Sequence, residues 1–335
     1  MIPQGIPARQ PCTWQDELAS AIRDPVELAV RLDLDPAVLD CTPDAMAQFP
    51  LRVPRPYLAR MRRGDAADPL LLQVLPTARE LDQVPGYGSD PLREHAANPV
   101  PGLIHKYHGR VLLLASPACA IHCRYCFRRH FDYAANTPGR QQWHQALAYI
   151  RNDPSIAEVI YSGGDPLAAS DTMLAWLIGQ IEAIPQVRRL RIHTRLPVVI
   201  PARIDQALLH WLGSSRLGRT LVLHINHANE IDREVAAAVQ RLRDCGVTVL
   251  NQSVLLAGIN DCGERLVELS ERLFSAGILP YYLHLLDPVA GAAHFAVTRE
   301  RAIALHQGLL ARLPGYLVPR LVQELPGHPH KLPLV

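Results

Sequence analysis

The chain has 335 residues, 48% of them hydrophobic, and a formal net charge of +2. That is ample for a buried core, and so even a charge balance gives no reason to expect nucleic acid or an acidic partner. The opening MIPQGIPARQPCTW lacks an apolar signal-like run, and no stretch approaches the roughly 18 apolar residues of a membrane span, so a cytoplasmic location without a membrane partner is expected.

Residues 1–100 read as an N-terminal helical extension. TWQDELASAIRDPVELAVRLDL carries the helical pattern, and FPLRVPRPYLARM and PVPGLIHKYHG form a proline-rich connection to the first strand. From 101 to 312, β-rich apolar runs alternate with amphipathic stretches. The six strand candidates are VLLLAS (111–116), EVIYSGG (158–164), RLRIHT (189–194), TLVLHIN (220–226), TVLNQSV (248–254) and PYYLHLL (280–286). Helical patterns such as QQWHQALAYIRN, IDREVAAAVQRLRDCG and GERLVELSERLFSAG lie between them, the last two ending near glycine. Repeated strand-helix units predict an α/β fold with a parallel sheet, and six units predict a partial (β/α)6 barrel. Polar and glycine-rich residues follow the strands (SGGD, HTR, NHANE, NQS), where such barrels put their active sites. Residues 313–335 form a C-terminal segment, extended and turn-like after a last helix.

Seven cysteines, of which only three cluster, fit a reducing compartment better than a disulfide framework, and Cys12, Cys41, Cys245 and Cys262 are expected to be unpaired. The cluster is Cys119, Cys123 and Cys126 in ASPACAIHCRYCFRRHF, a C-x3-C-x2-C spacing. Three thiolates that hold three irons of a [4Fe-4S] cluster leave the fourth open to a chelating small molecule, whereas an electron-transfer cluster closes it with a fourth cysteine. The competing reading is a zinc knuckle completed by His122 or His130, but structural zinc sites usually draw on a second, distant ligand pair. The spacing is the signature of radical S-adenosylmethionine (SAM) enzymes.

Of 34 lysines and arginines, only Lys106 and Lys331 are lysines. Arginine cannot form a Schiff base with an aldehyde such as that of pyridoxal phosphate (PLP), and lysine can. Lys331, five residues from the end, could equally be a solvated tail residue.

The motifs FPLRVPRPYLARM, DPLLLQVLPTARELDQVPGYGSDPLREHAANPVPGLIHKYHGRVLLL, CAIHCRYCFRRHF, SGGDPL, RIHTRLPVVIPARI, HINHANE, NQSVLLAGIND and AGAAHF, spread over nearly the whole chain, resemble the lysine 2,3-aminomutase family. The likeness is to its short subgroup, which makes (R)-β-lysine for modification of elongation factor P and lacks a long C-terminal extension. The resemblance implies three cofactors: a [4Fe-4S] cluster, SAM and PLP. By residue it implies Cys119, Cys123 and Cys126 as cluster ligands, and Gly163, Gly164 and Asp165 at the methionine part of SAM. Lys331 becomes the catalytic residue that holds PLP covalently, with Lys106, Arg110 and Gln252 contacting that cofactor or its phosphate. Arg128 pairs with the substrate carboxylate, while Arg124 and Arg129 contact SAM or line the loop. Asp287 and Glu324 receive the distal ammonium, which argues against a glutamate mutase.

Departures from the family pattern are Lys106 for arginine, Glu324 for aspartate and His284 for tyrosine. His224 and His227 look like an H-x2-H metal pair, but three residues apart on a strand end they point to opposite faces, and contact with SAM or substrate is preferred. The implied partners are L-lysine, an electron donor such as flavodoxin or ferredoxin, and a functional link to elongation factor P and its lysyl ligase, with a homo-oligomer compatible. A free-standing enzyme making a β-amino acid for metabolism and a non-enzymatic metal-binding module are the alternatives.

Overall fold

The computed structural model describes residues 13–335. The N-terminal segment is short helices and turns, several of them started by a polar cap. Thr13 and Asp16 bond reciprocally to begin Trp14–Ala19, and the Asp24 carboxylate accepts from the Val26 N–H at the start of Pro25–Arg31. Trp14, Leu28, Tyr57 and Leu70 of this segment share one apolar core with Val111, Val159, Ile192 and Leu221 of the sheet, so the extension packs onto the barrel as part of it.

Nine strands form one sheet in chain order: β1 Leu103–Tyr107, β2 Arg110–Ser116, β3 Glu158–Gly163, β4 Arg189–Thr194, β5 Gly218–His224, β6 Thr248–Val254, β7 Leu279–His284, β8 Arg320–Gln323 and β9 Leu332–Pro333. Strands β2 to β8 run parallel, each pair joined through a helix, among them Arg140–Asn152, Asp171–Glu182, Arg233–Asp244, Gly263–Ser275 and Arg299–Leu310. At the two edges β1 pairs antiparallel with β2 and β9 antiparallel with β8, and β1 and β9 do not pair with each other, so the barrel stays open.

All six expected strands are present, and the parallel set holds a seventh, β8. Its four residues RLVQ are too short to show a period; it forms because Leu321 packs with Leu283, Leu309 and Leu317 in a second apolar cluster. Likewise β1, expected as part of a connection, is held by the tight turn at Gly109, whose φ of +75° suits glycine. Among the described residues no helix is long and apolar enough to cross a membrane. The six described cysteines, Cys41, Cys245 and Cys262 among them, are all free thiols; Cys12 lies outside the described residues.

Candidate active site

Successive side chains of a strand alternate between its faces, and in a barrel one set points inward. The inward set here is Glu158, Ile160 and Ser162 of β3, Arg191 and His193 of β4, Thr220 and His224 of β5, Leu250, Gln252 and Val254 of β6, and Tyr282 and His284 of β7. These line a cavity of about 740 Å³. The outward set, such as Val159, Tyr161, Leu221, Leu223 and Val249, is buried in the main apolar core. Because β2 to β8 are parallel, their C-terminal ends open at one mouth, and the three-cysteine loop leaves β2 at that mouth.

Cys119, Cys123 and Cys126 all line the cavity. Burial pushes the Cys119 thiol well up, and it raises Cys126 to about 11, with neighbouring Cys123 adding to the effect. Arg195, at the end of β4, answers this environment by donating from Nη1 to Cys123 Sγ at 2.8 Å. The loop's root is fixed by backbone: Gly164 N–H donates to Ser116 O at 2.8 Å and Asp165 N–H to Ala118 O at 2.7 Å. Glycine is required there by close approach, since a Cβ on Gly164 would lie 2.6 Å from Pro117 O, and one on Gly163, at φ +127°, 2.4 Å from Ser116 O. The Asp165 carboxylate is fully spent, accepting from Thr194 Oγ1 (2.6 Å) and the N–H groups of Arg195 (2.8 Å), Leu196 (2.9 Å) and Leu167 (3.0 Å). It stitches β3 to β4 beneath the cysteine loop.

Of the two roles expected for the other loop arginines, the geometry matches lining the loop. Arg124 and Arg129 both pair with the buried Glu80 and lie over the Phe49 ring, so they tie the loop to the N-terminal segment instead of reaching the cavity. Neither candidate zinc histidine faces the thiols: His122 bonds Pro50 O and stacks on Phe49, and His130 bonds Ala290 O. His227 also turns away, its Nδ1 accepting the Asn229 N–H to cap a short turn, whereas His224 lines the cavity with its Nε2 unpartnered. Burial and the nearby Arg195 hold His224 down to about 3, so it is a neutral imidazole.

From the C-terminal segment back to the cysteine loop, five charged side chains of alternating sign form a chain. Lys331 bonds Glu324 Oε2; Glu324 Oε1 accepts from Lys106 at 2.9 Å; Lys106 reaches Glu94 Oε1 at 3.1 Å; Glu94 forks onto Arg128. This bridges the open side of the barrel, because Lys106 lies on β1 while Glu324 and Lys331 flank β8 and β9. Burial raises the Glu324 carboxyl, but Lys331 and Lys106 outweigh it and hold the group well below the usual range. Asp287, in the same cavity, is pushed up to about 7 by burial and by the Glu324 charge. His284 and His193 also line the cavity, both driven far down by burial, with Lys331 and Arg191 respectively adding to it. Arg110, Gln252 and Lys331 share the cavity with them, the Arg110 guanidinium 4.7 Å from the Tyr107 ring centroid.

Missed in the sequence were the roles of Tyr57, Gln73, Glu80, Glu94 and Glu230, which lie within the quoted motifs and support the site through the buried arginines. Gln73 had a visible signal, a lone amide inside the apolar run LLLQVL.

A half-open parallel barrel with three cysteines on the loop after its first parallel strand defines the radical SAM class of enzymes, and residues 113–270 match the family model described as the Radical SAM superfamily. L-lysine 2,3-aminomutase of Escherichia coli (strain K12) is 50% identical over 96% of this chain and 94% of its own length. The enzyme of that name from Haemophilus influenzae is 47% identical over 99% of this chain and 98% of its own, and that from Clostridium subterminale 39% identical over 83% and 67%. Among solved structures, a radical SAM methyltransferase from Sphaerobacter thermophilus covers 66% of this chain and 68% of its own, with 18% identity and a TM-score of 0.49. The chain belongs to the L-lysine 2,3-aminomutase family, isomerases of the radical SAM superfamily. Membership implies a [4Fe-4S] cluster, SAM and PLP. The donor set fits them: three cavity-lining thiols with a cation beside one, and a cavity-lining lysine with the cations Lys106 and Arg110 for a phosphate.

Proposed function

We propose that the protein converts L-α-lysine to (R)-β-lysine by moving the 2-amino group to carbon 3, and that the product serves modification of elongation factor P. The observation that carries this reading is that one cavity is lined by the three cysteines, Lys331, Arg128, Asp287 and Glu324, residues separated by up to 212 positions in sequence. When bound, the cluster and SAM supply a 5'-deoxyadenosyl radical, and PLP holds the migrating nitrogen so that it can pass between neighbouring carbons.

In this reading Cys119, Cys123 and Cys126 ligate the cluster, the Gly163–Gly164 strand end borders the SAM site, and Lys331 joins PLP through its amine. Lys106, Arg110 and Gln252 hold the cofactor, with Lys106 acting as a point charge where a guanidinium would bind phosphate in two places. Arg128 takes the substrate carboxylate through the guanidinium edge that is not turned to Glu94. Asp287 takes the distal ammonium first, because Glu324 is already shared between Lys106 and Lys331. Glu324, held between the two lysines, would be the second carboxylate for that ammonium. The barrel walls exclude water, which a primary radical would otherwise meet.

The test is anaerobic reconstitution with iron, sulfide, SAM, PLP and a reductant, supplied with lysine, arginine or glutamate and followed by chiral analysis. The expected product is (R)-β-lysine from L-lysine alone; absence of any β-lysine overturns the reading. Transfer of that product onto elongation factor P by its lysyl ligase tests the destination, since a metabolic enzyme's product would serve elsewhere.

A further inference from the structure

Arg195 carries chemistry that none of the roles above uses. Its guanidinium is buried at 6% exposure, and both terminal nitrogens are held by several acceptors. Nη1 donates to Cys123 Sγ (2.8 Å) and Tyr125 Oη (2.7 Å); Nη2 donates to Gln73 Oε1 (2.6 Å), Glu230 Oε2 (2.8 Å) and Tyr57 Oη (3.1 Å). The rings of Tyr57 and Tyr125 lie 5.4 and 5.8 Å from its central carbon. Its main-chain N–H is fixed by Asp165. So many restraints leave the cation one orientation, with an N–H aimed at a cysteine sulfur.

The single carboxylate opposite it is divided. Glu230 also accepts from Gln73 Nε2 (3.2 Å) and from the N–H groups of Asn226 (2.9 Å) and His227 (3.1 Å). These donors spread the Glu230 charge and leave part of the Arg195 charge unanswered by the protein. A thiolate at Cys123 is the natural complement.

We propose that Arg195 sets the reduction potential of the cluster, with Glu230 opposing it. The proposal rests on the reading of Cys123 as a cluster ligand. Reduction adds an electron to the cluster, and a fixed cation with an N–H directed at a ligand sulfur stabilises that added charge. Arg195 therefore raises the potential, and Glu230, by neutralising Arg195, lowers it. The two residues act with opposite sign, which a purely structural role does not produce.

The experiment is an anaerobic redox titration, without SAM, of reconstituted full-length protein, read by the electron paramagnetic resonance signal of the reduced cluster together with iron content per chain. Arg195→Gln is expected to move the midpoint to more negative potential by about a tenfold change in the reduction equilibrium, about 59 mV for one electron. Arg195→Lys, which keeps the charge, is expected to stay nearer wild type, and Glu230→Gln to move positive. Because Arg195 ties several elements together, Arg195→Gln can lose its fold, and the positive shift in Glu230→Gln then carries the test alone. A wild-type midpoint in a fully loaded Arg195→Gln, or a negative or absent shift in a loaded Glu230→Gln, overturns the proposal. Failure of wild-type protein to bind a cluster overturns instead the reading on which it rests.

Discussion

The Arg128 guanidinium is gripped in a two-bond fork by the Glu94 carboxylate, Nε to Oε2 at 2.6 Å and Nη2 to Oε1 at 2.9 Å, with both side chains buried. Its remaining nitrogen, Nη1, reaches Ser162 Oγ at 2.9 Å. Glu94 thereby aims Arg128 and neutralises it while no substrate carboxylate is present. Although burial opposes ionisation, Arg128 and then Lys106 keep Glu94 an anion, below the usual carboxylate range.

Removing one partner of a buried pair leaves an uncompensated charge, which costs roughly 3 to 5 kcal/mol. Glu94→Gln is therefore expected to lower stability by about 3 kcal/mol in a denaturant titration. Lysine should restore part of that loss, because its carboxylate supplies the missing negative charge to Arg128. The check is ligand-induced stabilisation in the two proteins: lysine must stabilise the variant more than it stabilises wild type.

Asp287 predicts a pH dependence for substrate binding. Burial and the Glu324 charge push its carboxyl up to about 7. Below that pH it is neutral and attracts an ammonium poorly; above it, it is charged. An incoming ammonium stabilises the anion, so binding releases a proton near neutrality. The KM for lysine is expected to rise as pH falls through about 7. Asp287→Asn should flatten that limb and raise KM by roughly 10- to 100-fold, the loss of one charged hydrogen bond at about 1.5 to 3 kcal/mol.

Lys331 is expected to hold PLP covalently. Borohydride reduction of the PLP-loaded protein followed by peptide mass analysis should find the adduct on Lys331, and Lys331→Ala should lose both adduct and activity. Lys106 is the internal control, since it is the other lysine of the chain and meets the same Glu324. An adduct on Lys106 would sink the assignment.

Much of this was readable beforehand, for identifiable reasons. Strands β3 to β7 lie in the middle of a parallel sheet, so their apolar runs are long and bounded by turn residues. The cysteines stand seven positions apart at most, and Lys331 stood out by rarity in an arginine-rich chain. By contrast β8 has four residues, and β1 carries the polar sequence HKY, so both depend on their neighbours. The partners of the site arginines were invisible because they bear no spacing relation to them. Glu80 meets Arg124 across 44 positions, Glu94 meets Arg128 across 34, and Gln73 meets Arg195 across 122. Such pairs exist only once the N-terminal segment has packed against the barrel. The glycines of SGGD were legible only as a strand end resembling a SAM-binding one, and in the structure they meet the backbone that leads into the cysteine loop.

That contact gives the last prediction. A methyl group on Gly164 would meet three backbone atoms of Pro117 and Ala118 at 2.6 to 2.8 Å, and backbone cannot swing aside as a flexible side chain can. Gly164 has no positive φ, so the cost of Gly164→Ala comes from overlap rather than from backbone strain. Relief requires β3 and the Pro117–Ala118 turn to separate, which stretches the 2.7 Å bond from Asp165 N–H to Ala118 O and shifts Cys119, the next residue along. Overpacking of this kind costs about 1 to 3 kcal/mol, small enough for the barrel to survive. Gly164→Ala is therefore expected to fold, with a far-ultraviolet circular dichroism spectrum like wild type, yet to take up less iron and sulfide on anaerobic reconstitution. Wild-type cluster content in the folded variant would mean that the root of the loop is more compliant than its backbone contacts imply.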